Sequence, residues 1–470
     1  MAAGPEADAV EAARAAFASG RTRPLSWRRD QLRALEAFVG GEEAALRAAL
    51  RADLGRAGAE SFLAELHGVR AEARLLRRHL RRWTRVRRGH VPLVLRPAHA
   101  RLWREPLGVV LIIGPWNYPV NLVLVPLAAA LAAGNAAVVK PSELAPTTAA
   151  LLAERLPRYL DTEAIRVVTG GAATAEALID ADVDHVFFTG GTAVGRLVMA
   201  RAARHLTPVT LELGGKSPVL VDAEVDLAVA ARRIAWGKFM NAGQSCVAPD
   251  YVLVDERGED ALLEALARAT RELFGADPRT SPDFARIVNE AHLERVSGLL
   301  ANHGGRVIVG GEIDAPARYV APTIVARPAA DSDLMHEEIF APVLPVVPVA
   351  DLEESARTLG ALATPLALYV FSANRARARR LVAATRSGAV AVNTTMLHFA
   401  AHDLPFGGRG ASGFGQYHGR AGLERLSQLR PVLIKAAHPD FSLAYPPYGR
   451  RRARLARRVL GERGRTPESS

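Results

Sequence analysis

Cys246 is the only cysteine in 470 residues, and it sits in the stretch NAGQSCVAPD (241–250). A single thiol cannot close an intrachain disulfide, so a stapling role is excluded. Two readings remain. A free cysteine packs in a core like a small hydrophobe, or it acts as a nucleophile where its surroundings favour the thiolate. Glu212, in LELGGKSP (211–218), falls on an apolar strand pattern. A carboxylate there is either ion-paired or held with a raised pKa, which suits a general base. Asn117, in GPWNYP (114–119), follows another strand pattern. Its side-chain amide could donate to an oxyanion developing beside it. Trp116 and Tyr118 flank it and could wall an apolar pocket or pack in a core.

A second set of residues fits an anionic ligand. FTGGTAVG (188–195) follows a strand and opens a helix, giving Gly190-x-Thr192-x-x-Gly195. Glycines let the backbone approach a pyrophosphate, and a helix N-terminus favours its charge. An ordinary strand–helix turn has the same look, so the motif alone is weak. VVKPSE (138–143) places Lys140 and Glu143 after a further strand, where both could hydrogen-bond a ribose.

The elements that carry these residues alternate. GVVLII, NAAVVK, IRVVTG, DHVFFTG and PVTLELGG read as buried strands, each separated from the next by a helix. That rhythm means right-handed crossovers and a parallel, doubly wound sheet with ligand at the strand C-termini. A second α/β region follows. It holds a helix over Asp226 to Phe239, the cysteine loop, the strand YVLV, and a later strand–helix–strand through LALYVFS and SGAVAVN. Residues from about Ala7 to Trp83 read as helical, with Leu32, Leu35, Phe38 and Val39 on one face. Val91 to Gly108, with its prolines, reads as an extended edge hairpin. The chain from about Asp403 reads as loop, glycine-rich and then basic.

Composition sets the bounds. The chain is 49% hydrophobic and 23% charged, ordinary for a globular protein with a large core. Its most apolar run, Val120 to Lys140, is broken by Pro126, Gly134 and Asn135, so no membrane span is expected. The N-terminus lacks a basic region before an apolar one, so a cytoplasmic location is expected. Four of the 60 basic residues are lysines (Lys140, Lys216, Lys238 and Lys435) and the rest are arginines. At such positions an ammonium is expected where a guanidinium fork cannot substitute. Arginines cluster at Leu76 to His90 and at Gly449 to Arg458 within a net charge of +11. Such runs fit solvated helix faces or subunit contacts, or an anionic surface, and no nucleic-acid partner is expected. No His/Cys cluster has metal-ligand spacing, so no metal is expected.

In order, GPWNYP, VVKPSE, FTGGTAVG, LELGGKSP, NAGQSCVAPDY, EEIFAPVLPV and LPFGGRGASGFGQYHG span much of the chain. This ordered set resembles the NAD(P)-dependent aldehyde dehydrogenase superfamily. GQSCVAPDY, YHG and YPPY most resemble its class 3 members, which include fatty, aromatic and coniferyl aldehyde enzymes. The resemblance implies an aldehyde dehydrogenase fold: an α/β Rossmann-like cofactor domain, an α/β catalytic domain and a small oligomerisation element. By that likeness residues 1–90 and 105–212 bind NAD(P), 213–395 form the catalytic domain, 91–104 and 396–448 the oligomerisation element, and 449–470 a basic tail.

It also implies roles. Cys246 resembles the nucleophile, Glu212 the general base and Asn117 the oxyanion donor. Gly190, Thr192 and Gly195 resemble the pyrophosphate loop, and Lys140 and Glu143 the adenosine-ribose contacts. Glu338 resembles the nicotinamide-ribose ligand, with Phe340 beside it. Phe406 resembles the residue packing near nicotinamide and substrate. Trp116, Tyr118, Trp236 and Phe399 point to an apolar or aromatic aldehyde, while His398 and His402 could touch substrate or lie further out. Glu143 would accept from a 2′-hydroxyl and repel a 2′-phosphate, which favours NAD over NADP. The family likeness implies a homodimer, and the arginine-rich end implies no hydrophobic anchor. Two other readings stand beside this one: a CoA-acylating dehydrogenase, which needs no base for water, and a non-catalytic binding protein on the same fold.

Overall fold

The computed structural model describes residues 4–92, 95–440, 445–447 and 449–459. Two compact units divide the chain. The larger takes Met1–Leu80 and Pro106–Leu426, and the smaller takes Arg81–Glu105 and Ser427–Ser470.

Two sheets form the larger unit's core. The first has six strands in the order Gly413–Phe414, Val209–Glu212, His185–Thr189, Val109–Ile113, Ala136–Lys140 and Ile165–Val167. The central strand, Val109–Ile113, comes first in the chain. The next two strands lie to one side of it and the following two to the other. All of these pairings are parallel except that of Gly413–Phe414. A crevice therefore opens where the loops leaving Val109–Ile113 and His185–Thr189 diverge, the place where such sheets take ligands. Val109–Ile113, Ala136–Lys140 and His185–Thr189 are buried along their whole length, which is why they read as unbroken apolar runs.

The apolar run after Asn117 is the helix Asn121–Ala133, buried on every side. A helix with no polar face belongs inside a large protein or a bilayer. Here Gly134, at φ 93°, ends it after 13 residues. Among the described residues no helix is long and apolar enough to cross a membrane.

The second sheet has seven strands: Arg306–Val309, Thr323–Ala326, Val343–Val349, Tyr251–Asp255, Pro218–Val221, Ala367–Phe371 and Ala389–Val392. The pairing at the Arg306–Val309 edge is antiparallel, and the others are parallel. The helix expected from Asp226 runs Leu227–Phe239, capped by the Asp226 carboxylate, which accepts from Val229 N at 3.0 Å.

The helical N-terminal region packs against the first sheet's surroundings. Leu32, Leu35, Phe38 and Val39 of the helix Leu25–Gly41 are buried together. Asp53 is also buried. It accepts from Thr147 N at 3.0 Å and from Thr148 N and Oγ1 at 2.8 Å, and so caps the helix Pro146–Arg155 from outside.

The smaller unit is built on a three-stranded sheet. Arg87–Gly89, which lies before the expected Val91 to Gly108 hairpin, pairs antiparallel with Ala98–Pro106, and Ser427–Lys435 adds the third strand. The loop reading for the chain beyond Asp403 does not hold throughout. That stretch contains the helix Gly419–Arg425, the strand Ser427–Lys435 and the helix Arg450–Val459. Pro431 and a mostly exposed face hide any alternation in the strand. The arginine density of the last helix leaves little apolar periodicity to read. The part of the expected basic tail over 460–470 lies outside the described residues.

Asp53→Ala leaves the first N–H groups of Pro146–Arg155 without their acceptor. Urea unfolding should show a loss of about 1–3 kcal/mol.

Candidate active site

A cavity of about 410 Å³ opens at the crevice of the first sheet. Trp116, Asn117, Gly190, Glu212, Cys246, Glu338 and Phe340 all line it, so residues far apart in sequence meet there. Cys246 is partly exposed, following the turn Met240–Gly243. Two residues of that turn, Asn241 and Ala242, hold positive φ of 51° and 50°, and Gly243 follows at 73°. At Gly243 a Cβ would come within 2.3 Å of the Ala341 carbonyl oxygen. Only glycine lets the turn lie this close to the loop carrying Phe340.

Burial pushes the Cys246 thiol well above its ordinary pKa, and the nearby Glu338 and Glu212 carboxylates push it further. The backbone N–H groups of Cys246 and Val247 pull the other way. Burial also holds the Glu212 carboxyl well above its ordinary range, against an opposing pull from Arg425. Glu212 ends the strand Val209–Glu212 and is 3% exposed, with neither carboxylate oxygen hydrogen-bonded. A buried carboxyl without partners is poised to take a proton rather than to hold an ion pair.

Asn117 is buried, and its Nδ2 donates to the Gln244 carbonyl at 3.1 Å. Its own carbonyl accepts from Asn241 Nδ2 at 3.0 Å and from Arg56. Arg56 is fully buried, donates to Glu65 Oε1 at 2.6 Å and lies over the Tyr118 ring. Glu65 stands in a π-helical turn, Phe62–Leu66. Its other oxygen accepts from Val120 N and Asn121 N, the first donors of the buried helix. Arg56, Glu65, Asn241 and Gln244 escape the sequence reading. A buried arginine in a helical region has no local signature that separates it from an exposed one.

Glu338 and Phe340 lie on a loop pinned from three sides. Lys216 pairs with Asp250 and donates to the carbonyls of Leu334 and Glu337 at 3.0 and 2.6 Å. Arg295 donates to the carbonyls of Glu338 and Ile339, and Asp250 accepts from Ile339 N. Phe340 stands edge-on to Trp116 at 5.4 Å, and His292 packs on the same indole. Burial raises the Glu338 carboxyl to about 7, and its Oε1 has no partner. Lys238, fully buried in the same charge cluster, has its Nζ unpartnered and its pKa lowered by burial to about 8.

Of the other expected residues, Thr192, Gly195, Lys140 and Glu143 do not line this cavity. Gly190 and Gly191 join the strand His185–Thr189 to the helix Thr192–Ala202. That helix begins without a side-chain cap, so no side chain competes for its N-terminal N–H groups. A Cβ at Gly195 would meet Leu213 at 2.6 Å, so the glycine lets helix and strand pack closely. Lys140 is buried at the end of its strand and donates to Glu143 Oε2 at 2.8 Å. Tyr118, half-buried Trp236 and buried Phe406 do not line the 410 Å³ cavity. Phe406 packs with His398, Phe399, Tyr417 and His418. His402 binds buried Glu72 at 3.0 Å. Among the described residues no group of His, Cys, Asp and Glu could hold a metal ion.

The doubly wound sheet opens a crevice of the kind that takes dinucleotides, and a thiol and an unpaired carboxyl share the cavity there. The Aldehyde dehydrogenase family model matches residues 5–432. "Aldehyde dehydrogenase, dimeric NADP-preferring" of Canis lupus familiaris is 45% identical over 94% of this chain and 97% of its own. "Aldehyde dehydrogenase family 3 member A2" of Rattus norvegicus is 44% identical over 93% and 90%. The solved structure described as the substrate-bound state of Staphylococcus aureus AldH superposes with a TM-score of 0.93 at 37% identity. It covers 96% of this chain and 99% of that one. The chain belongs to the aldehyde dehydrogenase family, NAD(P)-dependent oxidoreductases that convert aldehydes to carboxylic acids.

The buried Arg56–Glu65 pair supports Asn117. Removing one partner strands the other charge in the interior, so Arg56→Met should cost about 3–5 kcal/mol in urea unfolding. Turnover by the folded fraction should fall as well, because the Asn117 loop loses a donor. Full stability with full activity would show that the pair carries neither role.

Proposed function

We propose that Cys246, Glu212 and Asn117 carry out the oxidation of an aldehyde to its acid. The observation that carries this reading is the shared cavity, in which the one thiol and a carboxyl without hydrogen bonds face the same space. The Cys246 sulfur attacks the carbonyl carbon, forming a C–S bond as the carbonyl electrons move to oxygen. An N–H of the Asn117 amide and the Cys246 backbone N–H hold that oxyanion. NAD(P)⁺, held by the residues named below, would supply the acceptor for the hydride lost from the adduct. A thioester remains on Cys246. Glu212 takes a proton from water, the water oxygen attacks the thioester, and the acid leaves with the thiolate restored.

Other residues hold the cofactor in this reading. The Gly190–Gly195 turn with Thr192 takes the pyrophosphate at the uncapped helix end. Lys140 and Glu143 take the adenosine ribose, and Glu338, with its unpartnered oxygen, takes the nicotinamide ribose beside Phe340. Burial raises the Glu143 carboxyl, but the Lys140 hydrogen bond, its own backbone N–H and the Lys140 charge together outweigh it and hold Glu143 below the usual range. Ionised Glu143 accepts from a 2′-hydroxyl and repels a 2′-phosphate, so NAD is preferred while NADP is accepted. Trp116 in the cavity wall supports an apolar or aromatic aldehyde, as does the cluster of Phe399, Phe406 and Tyr417. The exposed strand Ser427–Lys435 supports a homodimer, with Leu433 56% exposed. A free cysteine fits a cytoplasmic location.

Cys246→Ser should abolish reduced-nicotinamide formation. Glu212→Gln should retain a burst of about one equivalent and then stall as the acyl-enzyme accumulates, detectable by intact mass. A Glu212→Gln enzyme with normal steady-state turnover would remove the base from Glu212. Acyl-CoA as the product would replace water with CoA as the acceptor.

A pH dependence follows from the raised Glu212 carboxyl. The acid form prevails below its pKa and cannot accept a proton, so thioester hydrolysis should accelerate as pH rises through that pKa. Single-turnover hydrolysis of a preformed acyl-enzyme measures this limb, and Glu212→Gln should flatten it. A rate that falls with rising pH would contradict the assignment.

A further inference from the structure

The excess positive charge of this protein is confined to its smaller unit. Arg81–Glu105 and the chain from Ser427 hold 18 of the 60 basic residues but only 4 of the 49 acidic ones, a net of +14. The larger unit carries −3 of the overall +11. Coding bias towards arginine would spread charge over both units, so it does not explain this division. Arg81–Glu105 by itself contains eight arginines and one glutamate.

Two features give the charge a shape. The helix Arg450–Val459 contains six arginines and no acid, and nearly all its described side chains are exposed. None of its arginines has a carboxylate partner among the described residues. At about 3.6 residues per turn, Arg450, Arg451, Arg454, Arg457 and Arg458 fall on one side. Ala453, Leu455 and Ala456 fall on the other, and Leu455 is 53% exposed. Arg452 interrupts the apolar side, with its Nη1 3.5 Å from the Pro447 carbonyl. In the same unit a cavity of about 870 Å³ is lined by Arg88, Arg96, Arg101, His90 and His99, without a carboxylate.

We propose that the smaller unit binds the surface of an anionic phospholipid bilayer through the helix Arg450–Val459. A basic helix with an apolar side lies in the plane of a charged membrane, its arginines on the headgroups and its apolar side at the acyl boundary. The cavity of Arg88, Arg96 and Arg101 adds a cation-lined recess that fits a phosphate headgroup. A nucleic-acid duplex would use the arginines but gives Leu455 nothing to bury, and this favours the bilayer. Attachment is peripheral and reversible, because charge–headgroup attraction is screened by salt. It is independent of the chemistry at Cys246.

Sedimentation of the full-length protein with vesicles tests this. The protein should pellet with phosphatidylserine-containing vesicles, remain in solution with phosphatidylcholine vesicles, and be released by high salt. The triple variant Arg454→Glu, Arg457→Glu, Arg458→Glu should bind at least about tenfold more weakly. Leu455→Glu should weaken binding too. Both variants should keep soluble aldehyde turnover, which shows that they fold. Equal pelleting with neutral vesicles would overturn the proposal, as would binding unmoved by the arginine reversal. Tighter binding to duplex DNA than to phosphatidylserine vesicles, indifferent to Leu455→Glu, would replace the bilayer with nucleic acid.

Discussion

The buried ion pair between Arg56 and Glu65 is the constraint on which the site's geometry rests. Both side chains are fully buried, so neither charge has water to fall back on. Their remaining hydrogen-bonding capacity goes to backbone that matters. Arg56 donates to the Asn117 carbonyl and to Asn241, and Glu65 caps the buried helix Asn121–Ala133. One pair thus fixes the loop that carries Asn117, the helix behind it and the turn leading to Cys246. The π-helical turn at Phe62–Leu66 shifts the helix register locally. Such turns collect at functional sites, and this one brings Glu65 inward.

Burial acts with opposite usefulness on the two groups proposed to react. For Glu212 the raised pKa helps, since a stronger base takes a proton more readily from water. For Cys246 the same desolvation hinders, since attack needs the thiolate. The protein offsets this only in part, through the backbone N–H groups of Cys246 and Val247. Glu338 and Glu212 both disfavour the thiolate while they are ionised. Keeping those carboxyls protonated therefore favours thiol ionisation, while water activation later needs Glu212 ionised.

The legible part of the fold was the part with regular spacing. The parallel sheet showed itself because Val109–Ile113, Ala136–Lys140 and His185–Thr189 are buried on both faces and separated by helices. The helix after Asp226 carried its own cap. The smaller unit's last strand and helix were hidden by Pro431, by arginine density and by exposure. The site divided similarly. Cys246, Glu212, Asn117, Trp116, Gly190, Glu338 and Phe340 meet in one cavity, and each sits in a short motif at a strand end or turn. Arg56, Glu65 and Arg295 were invisible because their role depends on contacts between distant segments. The aromatic neighbours of Phe406 gather only once the chain has folded.

One compositional signal survives folding in a form that physics can explain. In a chain that uses arginine almost throughout, three of the four lysines stand in crowded places. Lys140 is 3% exposed and Lys238 fully buried, while Lys216 is 17% exposed in its side chain. Lys216 shows why. Its single nitrogen meets the Asp250 carboxylate and the carbonyls of Leu334 and Glu337 together. Three acceptors around one point match the tetrahedral ammonium, whereas a planar guanidinium spreads its donors over a fork. At Lys140 the constraint is space, for the ammonium must reach both the Pro141 carbonyl and Glu143 from a buried strand end. At Lys216 and Lys140 a point charge fits and a fork does not. These positions hold the loop of Glu338 and the strand end beside the sheet's crevice.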